Sequence, residues 1–188
     1  MSWYRRAVNK DFTVGANTPE ELLEWMLDIE YGWMGADHIE HKEFGNEFWD
    51  CYSLLLPHEV FKYKLGTCWD QTIFENFVFD KEIHLPHVMI FIQQYKVSTH
   101  SFLGFRRDGK WYHFESAFQR FKGIHGPYDT IKDMIVAVCK KMHEHESEKE
   151  GFGYSTMNPD DFTRKLTCKE FMDACGYDYS KPEKTENQ

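Results

Sequence analysis

A chain of 188 residues is long enough to bury one substantial core, and its 16 Phe, 10 Tyr and 6 Trp supply much of the volume, which excludes a disordered chain. A net charge of −9, from 31 acidic and 22 basic residues, opposes binding to a phosphate backbone, so nucleic acid is not an expected partner. No run approaches the ~20 apolar residues of a membrane span, and the five cysteines contain no Cys-x-x-Cys pair, so a cytoplasmic chain with reduced thiols is expected.

Residues 1–6 lack the apolar stretch of a leader, and the basic pairs Arg5-Arg6, Arg106-Arg107 and Lys140-Lys141 are too short for a nucleic-acid footprint. Thr18-Pro-Glu-Glu21 combines a capping hydroxyl, a first-turn proline and a reciprocal glutamate, predicting a helix from Leu22 to about Tyr31 that Gly32 and Gly35 stop. Leu22, Met26, Ile29 and Trp33 fall on one core-facing stripe of it. Residues 36–56 show no period, and Pro57–Tyr63 reads as a short helix. Thr67 then caps a buried helix with Asp70 as its capping-box partner, and Trp69, Ile73 and Phe77 lie on one side.

The 87–95 segment reads as a strand buried on both faces at its start. Ser98–Arg106 and Lys110–Phe118 flank Asp108-Gly109, a two-residue hairpin signal. A further helix opens within 127–133, carrying Ile131, Ile135, Val138 and Met142, and runs out in the His-rich stretch 143–150. Residues 151–159 read as a loop or edge strand, and Thr167-Cys-Lys-Glu170 opens a last capped helix that Gly176 ends. The expectation is a single α+β domain over 1–179, an antiparallel sheet with helices segregated to one side, followed by a polar tail over 180–188.

Cys68 follows the Thr67 cap directly, which puts it in the first turn, where unpaired backbone amides and the helix dipole favour an anion and could hold an oxyanion. A thiol attacks as thiolate and needs such help, together with a base. With Asp108-Gly109 at the turn, paired hairpin positions sum to 217, so Phe102 faces Glu115 and His100 is Glu115's diagonal neighbour on one face. A thiol, an imidazole to take its proton and a carboxylate to orient that imidazole form a nucleophilic triad. Asp70 opposes a thiolate electrostatically.

Gly66-Thr-Cys68-Trp-Asp, His100 starting a strand and Trp111-Tyr-His-Phe-Glu115 after a hairpin together resemble the transglutaminase-like branch of the papain-like cysteine enzymes. The resemblance covers about residues 57–118. It implies a papain-like core with the nucleophile-bearing helix packed on a central antiparallel sheet, flanked by N- and C-terminal helices. It also implies acyl transfer or hydrolysis through a thioester, with Cys68, His100 and Glu115 as the catalytic residues. Glu115 stands where the family usually has Asp, and Ser101-Phe102 where many members have Ala-Trp.

The expected protein is thus a cysteine hydrolase or acyltransferase, protease-like or transglutaminase-like, acting on a peptide, protein or other amide, with water or an amine as acceptor. Trp69 and Trp111 are candidates to line the acyl pocket. His113 shares a strand face with Glu115. No cofactor and no metal are implied: His38 and His41 lack a His-Glu-x-x-His pattern, His143-Glu-His145 reads as a solvated helix end, and six residues separate Cys168 from Cys175. The rival reading is a noncatalytic binding protein that keeps this fold and uses the aromatic surface from Trp33 to Trp49.

Overall fold

The computed structural model describes residues 12–94, 98–143 and 152–180. Arg5-Arg6, Tyr95, the 144–150 stretch with His145, and residues 181–188 of the tail lie outside the described residues. Helix α1 (Pro19–Met26) is followed by the two-residue strands β1 (Glu30–Tyr31), β2 (Trp33–Met34) and β3 (Glu40–His41). Helices α2 (Asn46–Cys51) and α3 (Pro57–Tyr63) and the short strand β4 (Leu65–Gly66) lead to the central helix α4 (Cys68–Val78), which runs into a π-helical turn at Phe79–Ile83. Next come β5 (His87–Gln94), β6 (Ser98–Arg107), β7 (Lys110–Glu115), β8 (Gly123–Tyr128), α5 (Ile131–His143), β9 (Phe152–Met157), a 3-10 turn (Pro159–Phe162) and α6 (Cys168–Ala174).

The Thr18 capping box forms: Glu21 N donates to Thr18 Oγ1 and Thr18 N to Glu21 Oε2, both at 3.2 Å. The helix stops at Met26, however, rather than near Tyr31. Glu30 N donates to Lys64 O at 2.8 Å, and β1 pairs in parallel with β4, which only an extended backbone can do. Leu22, Met26, Ile29 and Trp33 are nevertheless all buried, so the apolar pattern located the core while the tertiary pairing set the backbone.

Strands β5 to β9 form an antiparallel sheet in the order β8-β7-β6-β5-β9. Met89 and Phe91 of β5 join Leu103, Phe105 and Phe114 in the larger core beneath α4, whereas Ile90, Ile92 and Phe102 form a second core with Met134, Ile135, Val138 and Cys139 of α5. Helices therefore cover both faces, not one. A strand apolar on both sides requires it.

Gly104 lets α5 come close, since a Cβ there would lie 2.4 Å from Met134 Cε. Strand β8 has no alternating signature and contains Pro127, which an edge strand tolerates. Its presence moves the start of α5 to Thr130, whose Oγ1 accepts from Asp133 N at 3.1 Å. Residues 152–157 supply the other edge strand, and α6 carries its Thr167–Glu170 capping box.

All eleven residues of α4 are buried, so the helix has no solvent side, contrary to a one-sided stripe. The sheet covers one flank. On another, Phe12 and Trp25 stack on Phe74, with ring centroids 6.1 and 4.9 Å away. Among the described residues no helix is long and apolar enough to cross a membrane.

Candidate active site

The loop entering α4 is held from within. Trp69 N donates to Thr67 Oγ1 at 3.2 Å, and both Thr67 N and Thr67 Oγ1 donate to Asp70 Oδ2 at 2.8 Å. Asp70 Oδ1 accepts from Tyr52 Oη at 2.9 Å and Leu55 N at 2.8 Å. Burial pushes the Asp70 carboxyl up to about 6 against the pull of these four hydrogen bonds. Asp70 is thus a clamp between the 52–55 segment and the loop entering α4. A Cβ on Gly66 would meet Asp70 Cβ at 3.0 Å, so glycine there allows the loop to lie close over the helix.

The hairpin keeps the register read from its turn. Arg107 pairs with Lys110, and the ladder runs through Gly104–His113 to Leu103–Phe114, every pair summing to 217. Phe102 and Gly104 face α5, and His100 lies farther along the same side of β6, where the N-terminus of α4 reaches it. His100 Nε2 donates to Glu115 Oε2 at 2.7 Å. The remaining ring nitrogen, Nδ1, is left for the Cys68 thiol, which lies near enough to His100 to help raise its imidazole. Cys68, His100 and Glu115 are 5, 5 and 2% exposed.

Glu115 is saturated with donors. Its Oε2 also accepts from His113 Nε2 at 3.1 Å, and its Oε1 accepts from Ala117 N at 2.9 Å and Phe118 N at 2.8 Å. Burial alone would push this carboxyl up, but the His100 charge and the hydrogen bonds from His100 and His113 outweigh it, holding Glu115 well below the usual carboxylate range. Burial likewise disfavours a charged His100; the charge of Glu115 and the hydrogen bonds to Cys68 and Glu115 overcome it and raise the imidazole well above its ordinary value. His113 goes the other way, lowered chiefly by burial, and serves as a neutral donor to Glu115.

Tyr31 enters the site without any signal in the sequence. The parallel β1–β4 pair sets Tyr31 beside Gly66, and its hydroxyl meets both the backbone amide and the thiol of Cys68. Burial, then the Cys68 charge and hydrogen bond, raise the phenol well above its ordinary value, while 37% of the residue stays exposed. The two tryptophans are held in the two cores. Trp69 is buried and stacked on Phe171 at 4.4 Å, and Trp111 packs on the second core near the hairpin turn, opposite Arg106.

A cavity of about 570 Å3 lined by Asn76, Phe79, His87 and Met157 opens at the far end of α4, away from Cys68. Among the described residues no three His, Cys, Asp or Glu side chains form a group that could hold a metal ion. No family model matches the chain, and no curated protein matches it.

Proposed function

We propose that the protein is a cysteine-dependent amide hydrolase or acyltransferase of the transglutaminase-like, papain-like kind, with Cys68 as nucleophile, His100 as proton carrier and Glu115 as the group that orients His100. The observation that carries this reading is the hydrogen bond from His100 Nε2 to the fully paired Glu115, with Cys68 as the neighbour of the same ring. A buried carboxylate fixed by four donors gives the imidazole one tautomer and stabilises its charged form.

In the forward step the Cys68 thiolate attacks the carbonyl carbon of an amide. The developing oxyanion takes the Cys68 backbone amide at the start of α4, displacing the Tyr31 hydroxyl from it. As the carbon–nitrogen bond breaks, imidazolium His100 gives its proton to the departing amine, leaving a thioester on Cys68. Neutral His100 then takes a proton from water or a second amine, which attacks the thioester; the thiolate leaves and the imidazolium is restored. No cofactor enters these steps.

The test is alkylation of Cys68 by iodoacetamide in a Cys51→Ser chain, because Cys51 is exposed and would label independently. Cys68 should react faster than the other three thiols at and below neutral pH, and His100→Ala should remove that advantage. Slow labelling of all thiols, unaffected by His100→Ala, would sink the enzyme reading.

A second reading, a protein-binding module on the same fold, is favoured by the exposure of Tyr31, Ile39, Phe44 and Trp49 along one stretch of chain. It predicts that a partner's affinity depends on Phe44 and Trp49 and is indifferent to Cys68→Ala.

A further inference from the structure

We propose that Glu75, protonated, is a positioning residue for the Cys68 site: through Ser116 and Gln71 it ties the nucleophile's loop to the end of β7 that carries Glu115, and its ionisation unties them. The inference rests on the reading of Cys68 as nucleophile. Gln71, Glu75 and Ser116 are only 1, 2 and 2% exposed, so their polar atoms depend on one another.

The position of each proton follows from the acceptors. Gly66 O can only accept, so the amide nitrogen of Gln71, 2.8 Å away, must face it. That turns Gln71 Oε1 towards Ser116 Oγ, at 2.8 Å. Ser116 has one hydroxyl hydrogen, and Gln71 Oε1 requires it. Yet Ser116 Oγ also lies 2.5 Å from Glu75 Oε1. With an ionised Glu75, one of these two oxygen–oxygen contacts would hold no hydrogen. With a protonated Glu75 every contact is satisfied: Glu75 donates to Ser116, Ser116 to Gln71, and Gln71 to Gly66.

The chain joins two parts of the site. Gly66 lies two residues before Cys68 and pairs with Tyr31, while Ser116 directly follows Glu115. The charged groups facing Glu75 are Glu115 at the end of β7, His100 on β6 and Cys68 on its own helix. Burial first, with Glu115 and Cys68 adding to it and Ser116 and His100 opposing, raises the Glu75 carboxyl well above the ordinary range.

Loss of its proton to solvent as pH rises would draw the Ser116 hydrogen to the carboxylate, strip Gln71 Oε1 of its donor and add a further negative charge to those of Glu115 and the thiolate. Cys68 reactivity should therefore fall as pH rises through the Glu75 titration, where a simple thiol keeps gaining.

Glu75→Gln tests this, because its amide can donate to Ser116 as the protonated acid does but cannot ionise; Glu75→Ala removes the donor. In the Cys51→Ser background, infrared spectra taken well above the Asp70 titration should show a protonated-carboxyl band that Glu75→Gln abolishes. Glu75→Gln should keep the neutral-pH alkylation rate of Cys68 and lose the decline at higher pH, whereas Glu75→Ala should slow it at least about tenfold. The proposal is overturned if Glu75→Gln leaves the band intact, or if it slows Cys68 as much as Glu75→Ala does. If the band behaves as expected but Cys68 is as slow as the other thiols in the parent chain, the nucleophile reading fails and the positioning role with it, while the proton on Glu75 stands.

Discussion

Glu115→Gln changes one atom of the side chain and tests the centre of the proposed site. Each carboxylate oxygen accepts two N–H groups, Oε2 from His100 and His113 and Oε1 from Ala117 and Phe118. An amide has one accepting oxygen, so in either orientation its NH2 group opposes two buried donors. Each buried donor left unpaired costs about 1–3 kcal/mol, and relief of the buried charge offsets part of the total, so a net loss of about 3 kcal/mol is expected.

The same change removes the anion that supports a charged His100. A charge-assisted hydrogen bond contributes about 1.5–3 kcal/mol, which corresponds to roughly a 10- to 100-fold smaller imidazolium population and, on the proposed role of His100, an equal fall in Cys68 alkylation rate at neutral pH.

The pH dependence has a definite sign. Glu115 is lowered in the folded protein, so its stabilisation is present above the ordinary carboxylate range and is lost as pH falls towards its folded value. His100 is raised, so its contribution is complete below the ordinary imidazole value and is lost as pH rises through the higher folded one. The stability gap between the parent and Glu115→Gln, measured by urea denaturation, should be widest between the ordinary carboxylate and imidazole values, persist at neutrality and close in stronger acid. A gap under roughly 0.5 kcal/mol at neutral pH, or an unchanged alkylation rate, would refute the reasoning.

Asp70→Ala strands the Tyr52 hydroxyl and the Leu55 and Thr67 amides, and denaturation should show a loss of about 3–5 kcal/mol. Because Asp70 is pushed up to about 6, the part of its contribution that depends on protonation is complete below the ordinary aspartate range and lost as pH rises through about 6. Asp70→Asn, which cannot ionise, should therefore gain on the parent across that interval. Gly104→Val would drive a branched side chain into Met134 and Ile90 beneath α5, costing about 1–3 kcal/mol in the same assay, with Gly104→Ala costing less.

Local rules were enough wherever neighbouring residues decide the outcome. The capping boxes at Thr18, Thr67 and Thr167 form because hydroxyl and carboxyl lie three residues apart in one turn. Likewise, Asp108-Gly109 adopts positive φ at both positions and thereby sets a register that brings His100 to Glu115 across fifteen residues.

Features that depend on distant partners were not legible. Helix α1 ends early because β4, more than thirty residues later, claims Glu30–Tyr31, and that pairing alone carries the Tyr31 hydroxyl to Cys68. The edge strand β8, the second core under α5, the four donors on Glu115 and the buried Glu75–Ser116–Gln71 chain arise for the same reason. Sequence by itself determined where caps, turns and apolar stripes fall, because those energies are local. Only the tertiary structure decided which polar groups lose water together, and there hydrogen-bond saturation sets the charge of each.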